Sequence, residues 1–334
     1  MQNNQNNKHN YNDKRPVAPP KNIGGDDLHK KPSVSHEQPT AKPAAKTRKK
    51  KERKIVQPVF ESRLGPDNET AHIPPLKDGD ILHMGGVEEI GRNMSMIEYK
   101  NSIVIVDCGI QFSETDTPGI DFILPNTKYL EERKDKIKAM VITHGHLDHI
   151  GAIPYIMPRI GNPQIYARNF TQLMIRKRQE EFPYLPDLKI NIVETGQTVE
   201  LGDLKVKFWG VSHAIPDAMG IIIETPHGDI VHTGDLRLDH NDGIPTENEI
   251  NNFSVFKGRK VLALMTDSTN CEQPGFSISD SVVYKNLEAV IRDTPGRLIV
   301  STFASQVERM LFMLRMCEKY GRKVVVEGRS MKTN

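Results

Sequence analysis

The stretch Thr143-His144-Gly145-His146-Leu147-Asp148-His149-Ile150-Gly151 constrains this chain more than any other. It gathers three of the chain's 12 histidines and one aspartate into six positions, directly behind the apolar run Ala139-Met140-Val141-Ile142. A buried strand that ends in a ligand-rich loop delivers those side chains to the carboxyl edge of a sheet, where α/β proteins place their chemistry. His144 and His146, two apart in an extended segment, face the same way. Asp148 and His149 follow at the start of an expected helix, where an adjacent pair turns toward a second ion. Imidazole and carboxylate together suit Zn²⁺, with Mn²⁺ at a more oxygen-rich site. Three adjacent imidazoles with no cation between them gain little, so an incidental cluster is the weaker reading.

This His-x-His-x-Asp-His run resembles the central motif of the metallo-β-lactamase superfamily of hydrolases. The resemblance implies an α/β fold, an αββα sandwich with two divalent ions. Two further segments fit it. The alternating strands Val199–Leu201 and Leu204–Trp209, turned at Gly202-Asp203, deliver His213 in Val211-Ser212-His213-Ala214-Ile215-Pro216-Asp217. A lone histidine at a strand end is usually structural, but behind the earlier cluster His213 becomes the natural third ligand. A second hairpin, Gly220–Glu224 with Asp229–Val231, ends at His232-Thr233-Gly234-Asp235. Asp235 can bridge two cations through its two oxygens; His232 competes, but from the strand side. The expected set is His144, His146 and His213 at one ion and Asp148, His149 and Asp235 at the other, with Asp235 shared. Two divalent ions about 4 Å apart stabilise the oxygens of an in-line phosphoryl displacement and activate a bridging hydroxide. In the resembled fold an aspartate at the place of Asp107 orients the histidine loop from behind.

Composition bounds the rest. A chain of 334 residues can hold two domains. Its net charge of +2 hides an asymmetry: the first 60 residues carry 14 Lys/Arg against 5 Asp/Glu, leaving −7 on the remainder. Residues 1–75 are Asn-, Lys- and Pro-rich without hydrophobic periodicity and are expected to be disordered. Their basic run Lys46–Lys54 suits a polyanion, or serves only as a solvated linker. The three cysteines, Cys108, Cys271 and Cys317, show no CxxC spacing. A reducing interior fits best. No apolar run reaches the roughly 18 residues of a membrane span, so the expectation is a cytoplasmic protein without membrane contact.

Helices are expected at Tyr129–Asp135, Gly151–Ile160, Phe170–Glu181 and Gln306–Tyr320. The cluster Arg176, Lys177 and Arg178 reads as a solvated helix face before an RNA contact. Strands are expected at Met94–Tyr99 and Ile103–Val106, as a buried strand at Leu262–Met265, and again at Leu298–Ser301 and Lys323–Val326. The metal site alone does not choose a substrate within the superfamily. Thr266-Asp267-Ser268-Thr269-Asn270 resembles the first motif of the β-CASP nucleases, in which the aspartate adjoins the metals. Together with Gly85–Met94, Thr143–Gly151, Ser212–Ala218, His232–Arg237 and Thr302–Ser305, it makes six motifs in an order that resembles bacterial ribonuclease J over residues 78–334.

The resemblance implies a metallo-β-lactamase domain over 76–278 and the start of an inserted β-CASP domain over 279–334. It implies 5′-to-3′ exonuclease and endonuclease action on single-stranded RNA in mRNA decay and rRNA processing. Asp148 and Asp267 would serve catalysis. Ser305 would hold a 5′-phosphate, and Phe112 would stack a base, although core packing is the slightly favoured reading of Phe112. Homo-oligomers and helicase or ribosome partners are also implied. Family members continue beyond this point, so a truncated and weakly active chain is expected. The competing readings are a thioesterase or lactonase on the same metals, or a non-catalytic RNA-binding subunit.

Overall fold

The computed structural model describes residues 80–87, 89–113 and 119–333. The expected disordered tail 1–75 and its basic run lie outside them.

Alternation along the strands decides the layers. In Met94–Tyr99, Ser102–Val106 and Ile137–Val141, successive side chains point to opposite faces. Met96, Ile103, Ile105 and Met140 enter one core, while Ile97, Val104, Val106, Ala139 and Val141 enter another. Strands apolar on both faces must be covered on both. On the first face lie Leu130, Ile150, Ile153, Ile156 and Ile175 from the helical segments. On the second lie Leu204, Val206, Phe208, Met219, Ile221 and Ile223 from a second sheet. The far face of that second sheet carries Trp209, Ile222 and Val231, covered by Phe253 and Phe256. The layers run helix, sheet, sheet, helix, which is the expected αββα sandwich. Each large apolar side chain so buried stabilises the fold by roughly 1.5–3 kcal/mol.

Among the described residues the first sheet has six strands, in the spatial order Asp80–Gly85, Met94–Tyr99, Ser102–Val106, Ile137–Val141, Ile165–Ala167 and Ile190–Ile192. It begins antiparallel and turns parallel from Ser102–Val106 onward. The second has five, in the order Val261–Met265, Gly228–His232, Met219–Thr225, Leu204–Gly210 and Thr198–Leu201. Gly202, at φ +66°, makes the expected turn between the last two.

Several expectations are corrected. Of the helix expected over Gly151–Ile160 only Ile153–Ile156 is helical, behind a separate short helix, Leu147–Ile150. Pro154 sits in the first turn of Ile153–Ile156, where its missing N–H costs nothing but where an earlier helix could not run through it. The strand Val261–Met265 is half-covered rather than buried: Ala263 and Met265 pack inward, while Leu262 and Leu264 are 55% and 61% exposed. It pairs with Gly228–His232 on one side and is the edge of its sheet among the described residues. Leu298–Ser301 and Lys323–Val326 are not strands, because a strand exists only with a ladder partner. Ile299 and Val325 stand 85% and 81% exposed. The helix expected at Gln306–Tyr320 forms as Val307–Lys319 and packs on a helix that was not expected, Asp280–Asp293, with Tyr284 stacked on Phe312 at 4.5 Å. On Asn169–Gln179, Lys177 is solvated and pairs with Glu180, whereas the Arg178 side chain is largely covered and pairs with Glu181, so the solvated-face reading holds for Lys177 and not for Arg178.

Candidate metal centre

The site assembles at the carboxyl ends of parallel strands. Ile137–Val141 runs into Thr143, whose amide donates to Asp107 Oδ1 at 2.8 Å. Asp107 ends the neighbouring strand Ser102–Val106 in left-handed backbone at φ 62°, which turns its carboxylate under the histidine loop. The Thr143 hydroxyl donates to the same carboxylate at 2.9 Å. The other oxygen, Oδ2, lies 2.8 Å from His149 Nδ1, so the opposite nitrogen of that ring faces the site. Gly109 is a point of close approach: a Cβ there would fall 1.5 Å from the Asp148 carbonyl oxygen. Only glycine lets the strand end nest against the Asp148–His149 turn.

His144 Nε2 and His213 Nε2 lie 3.0 and 3.2 Å from His146 Nδ1. Asp235 Oδ2 is 3.9 Å from His144 Nε2 and 3.8 Å from His213 Nε2, and its Oδ1 is 3.2 Å from His149 Nε2. Asp148 Oδ2 is 3.5 Å from the same His149 nitrogen. The ligand atoms therefore form two groups, His144, His146, His213 and Asp235, and then Asp148, His149 and Asp235, each within 4.8 Å. Asp235 belongs to both.

Electrostatics sorts the histidines. Burial pushes His144 well below the ordinary imidazole range, helped by His149, His213 and His146 around it. Burial likewise brings His213 down to about 4 despite Asp235. His146 is lowered by burial, against a rise from Asp148 and from a backbone hydrogen bond with Ser305. His149 goes the other way: burial opposes the cation, but Asp107, Asp148 and Asp235 raise its pKa well above the ordinary value. Burial also opposes the charge on Asp235, yet the hydrogen bond and charge of His149 hold it at about 2.

The donor set fits divalent ions. Nitrogens about 2.05 Å from a tetrahedral ion stand roughly 3.3 Å from each other, close to the two imidazole separations here. Neutral imidazoles whose ring nitrogens converge in this way are what a cation binds. The second group, richer in carboxylate, also admits harder ions.

The other expected residues are placed less centrally. Asp267 belongs to neither ligand group; its Oδ2 accepts from Leu236 N at 3.2 Å and its Oδ1 from Thr269 N at 2.8 Å, so it braces the Asp235 loop. Ser305 reaches the site through its backbone. His232 Nδ1 accepts from Gly234 N at 3.0 Å and is in neither group. Phe112 is 59% exposed, which corrects the core-packing reading. Asn93 was not anticipated: its Nδ2 lies 3.0 Å from His149 Nε2 and donates to the Asp148 carbonyl at 3.1 Å. The nearest sequence signal is Gly91-Arg92, both at positive φ, which bends the chain back toward the site. Beside His213 and Asp267 opens a cavity of about 820 Å³, with Arg237, Tyr284, Phe276 and Arg309 among its walls.

Residues 87–282 match the Metallo-beta-lactamase superfamily, and residues 295–334 match the Ribonuclease J beta-CASP domain. A solved structure of a protein of unknown function from Enterococcus faecalis V583 shares the fold, at TM-score 0.53 and 18% identity over 75% of this chain and 70% of that one. With its two-sheet sandwich and paired His/Asp groups, this chain belongs to the metallo-β-lactamase superfamily. Within it, the chain is similar to bacterial Ribonuclease J. It is 38% identical to Ribonuclease J of Mycoplasma pneumoniae over 76% of this chain and 44% of that protein. To Ribonuclease J of Thermus thermophilus it is 37% identical, over 77% of this chain and 46% of the relative. The chain thus spans less than half the length of these relatives. No helix among the described residues is long and apolar enough to cross a membrane.

Proposed function

We propose that this chain carries the metal-holding part of a ribonuclease that hydrolyses phosphodiester bonds in single-stranded RNA. The observation that carries the reading is one juxtaposition: two ligand groups share Asp235, in a chain whose C-terminal residues match a ribonuclease β-CASP domain. When bound, two divalent ions supply Lewis acidity toward the scissile phosphate and the attacking water. His144, His146 and His213 would hold one ion and Asp148 and His149 the other, with Asp235 a member of both groups. Zn²⁺ suits the imidazole-rich group best, with Mn²⁺ the alternative. Asp107 keeps the His149 ring turned so that Nε2 is presented, and Asp267 keeps the Asp235 loop in place. Arg237, paired with Asp280, and Arg309 stand in the wall of the adjoining cavity as the cationic groups a phosphate backbone would meet. Ser305 stands near His146, where a 5′-phosphate would arrive, and exposed Phe112 offers a base a stacking face.

On this reading the metal-binding domain covers 76–278 and the β-CASP domain begins at 279. The activity is 5′-to-3′ exonucleolytic and endonucleolytic, in cytoplasmic mRNA decay and rRNA processing. The assembled protein is a homo-oligomer with helicase or ribosome contacts, the basic tail reaching the polyanion.

The test is hydrolysis of 5′-monophosphorylated single-stranded RNA with Zn²⁺ or Mn²⁺, beside thioester and lactone substrates. It is run on this chain, on a form extended to the length of the Ribonuclease J relatives, and on their Asp148→Ala variants. RNA cleavage lost in Asp148→Ala supports the reading. Turnover of a thioester or lactone in place of RNA moves the chain to another hydrolase, and RNA binding without metal uptake moves it to a non-catalytic subunit.

A further inference from the structure

Behind His213 lies a carboxylate that the site just described does not use. Glu249, on the helix Glu247–Phe253, is only 2% exposed. Its Oε1 accepts the hydroxyl of Ser212, the residue before His213, and its Oε2 is buried without a hydrogen-bond partner. The Ser212 carbonyl in turn accepts from Arg237 N at 2.8 Å, two residues beyond Asp235. One residue thus ties together the loop that carries His213, the loop that carries Asp235, and the outer helix. The helix itself is held by Phe253, whose ring meets Trp209 edge-on at 5.0 Å.

Other anchors of the His213 loop act across its base, where Val211 N donates to the Ala218 carbonyl at 3.4 Å, and at its far end. Asp217 accepts from Phe170 N at 2.8 Å and pairs with Arg168 at 3.3 Å, and Met219 N donates to the Thr143 carbonyl at 3.0 Å. Between those anchors and Ser212 lies a cavity of about 450 Å³ with Asn248, Asn252 and Asp217 in its walls. At the near end the Ser212 hydroxyl is the link from the loop to the outer helix. A carboxyl group buried with one hydroxyl donor is unfavourable for folding alone, since its second oxygen has lost water for nothing. Such local costs concentrate where geometry must be enforced.

We propose that Glu249 is a positioning residue for the metal centre: through the Ser212 hydroxyl it sets the His213 and Asp235 loops in the register that lets both ligands meet one ion. This rests on the metal-centre reading above. Partners one step removed from a metal typically change affinity by roughly 10- to 100-fold when lost.

The experiment is Co²⁺ titration of the full chain, following stoichiometry, affinity and the visible absorption bands that report ligand geometry. Ser212→Ala and Glu249→Ala should each weaken uptake of one ion by about tenfold or more and change its bands. The double variant should be no weaker than the weaker single one, because both break the same link, and Glu249→Gln, which keeps an acceptor oxygen, should restore most of the loss. Two ions bound with unchanged affinity and bands in Ser212→Ala and Glu249→Ala overturn the proposal. Should Glu249→Ala fail to fold, Ser212→Ala, which removes only a hydroxyl, decides alone. A His213→Ala chain keeps the two readings apart. If it binds cobalt like the unaltered chain, or the unaltered chain binds none, the metal-centre reading fails and takes this proposal with it.

Discussion

His149 and Asp107 form a pair with the imidazole Nδ1 held 2.8 Å from the carboxylate Oδ2, both side chains almost wholly buried. The contact decides which face of the ring is available. With Nδ1 committed to Asp107, Nε2 is left to face Asp148 and Asp235. The same aspartate grips the amide and hydroxyl of Thr143, so ring orientation and loop position share one anchor. Asp107→Asn, which tolerates the left-handed backbone at this position, should weaken uptake of one divalent ion by roughly 10- to 100-fold. Isothermal titration with Zn²⁺ checks it, and an unchanged affinity would remove Asp107 from the machinery.

Because Asp107, Asp148 and Asp235 outweigh burial and raise its pKa, His149 favours its protonated form more than an ordinary imidazole does. An ion at Nε2 competes with that proton. Metal uptake should therefore release protons. Titrations in buffers of different ionisation enthalpy measure this directly, and Asp107→Asn should reduce the release.

The neutral histidines make the metal-free chain sensitive to mild acid. His213 titrates at about 4 in the fold against an ordinary 6.5, so its contribution is present above 6.5 and lost as pH falls through 4. The shift corresponds to roughly 3 kcal/mol. His144 is lowered with the same sign. His149 has the opposite sign, but its contribution is complete below 6.5 and lost only as pH rises through its raised pKa. Thermal unfolding with chelator should occur at a lower temperature at pH 4.5 than at pH 6.5, and His213→Gln should flatten that dependence. A midpoint that rises on acidification would contradict the assignment.

A methyl group added at Gly109 cannot be absorbed by a flexible side chain, because what it meets is the backbone at Asp148. Gly109→Ala should cost about 3 kcal/mol, at the upper end for overpacking. It should also displace the Asp148–His149 turn, so metal binding falls along with the unfolding midpoint. Full stoichiometry in a destabilised variant would mean that the turn adapts.

Much of the molecule was legible in the residues themselves. Apolar alternation in Met94–Tyr99 and Leu204–Gly210 specifies strands and faces, because period two is a property of the backbone. The ligand types at His144, His146, Asp148 and His149 follow from spacing and chemistry alone. Where local sequence misled, a partner was the missing fact. Leu262 and Leu264 belong to an apolar run that reads as buried, yet whether both faces are covered depends on what lies across them. Ile299 and Val325 have strand-like side chains and no ladder to join among the described residues. Ser212 and Asn93 lie inside motifs whose residues gave no role to them, and Glu249 carried no local signal at all, since a helical glutamate looks like an ordinary surface residue until the fold turns it inward. Sequence by itself pointed to which side chains could bind a cation and which strands would carry them. Tertiary structure alone decided which nitrogen of each ring faces the site, since ring orientation is set by hydrogen bonds to residues far away in the chain, as Asp107 is from His149.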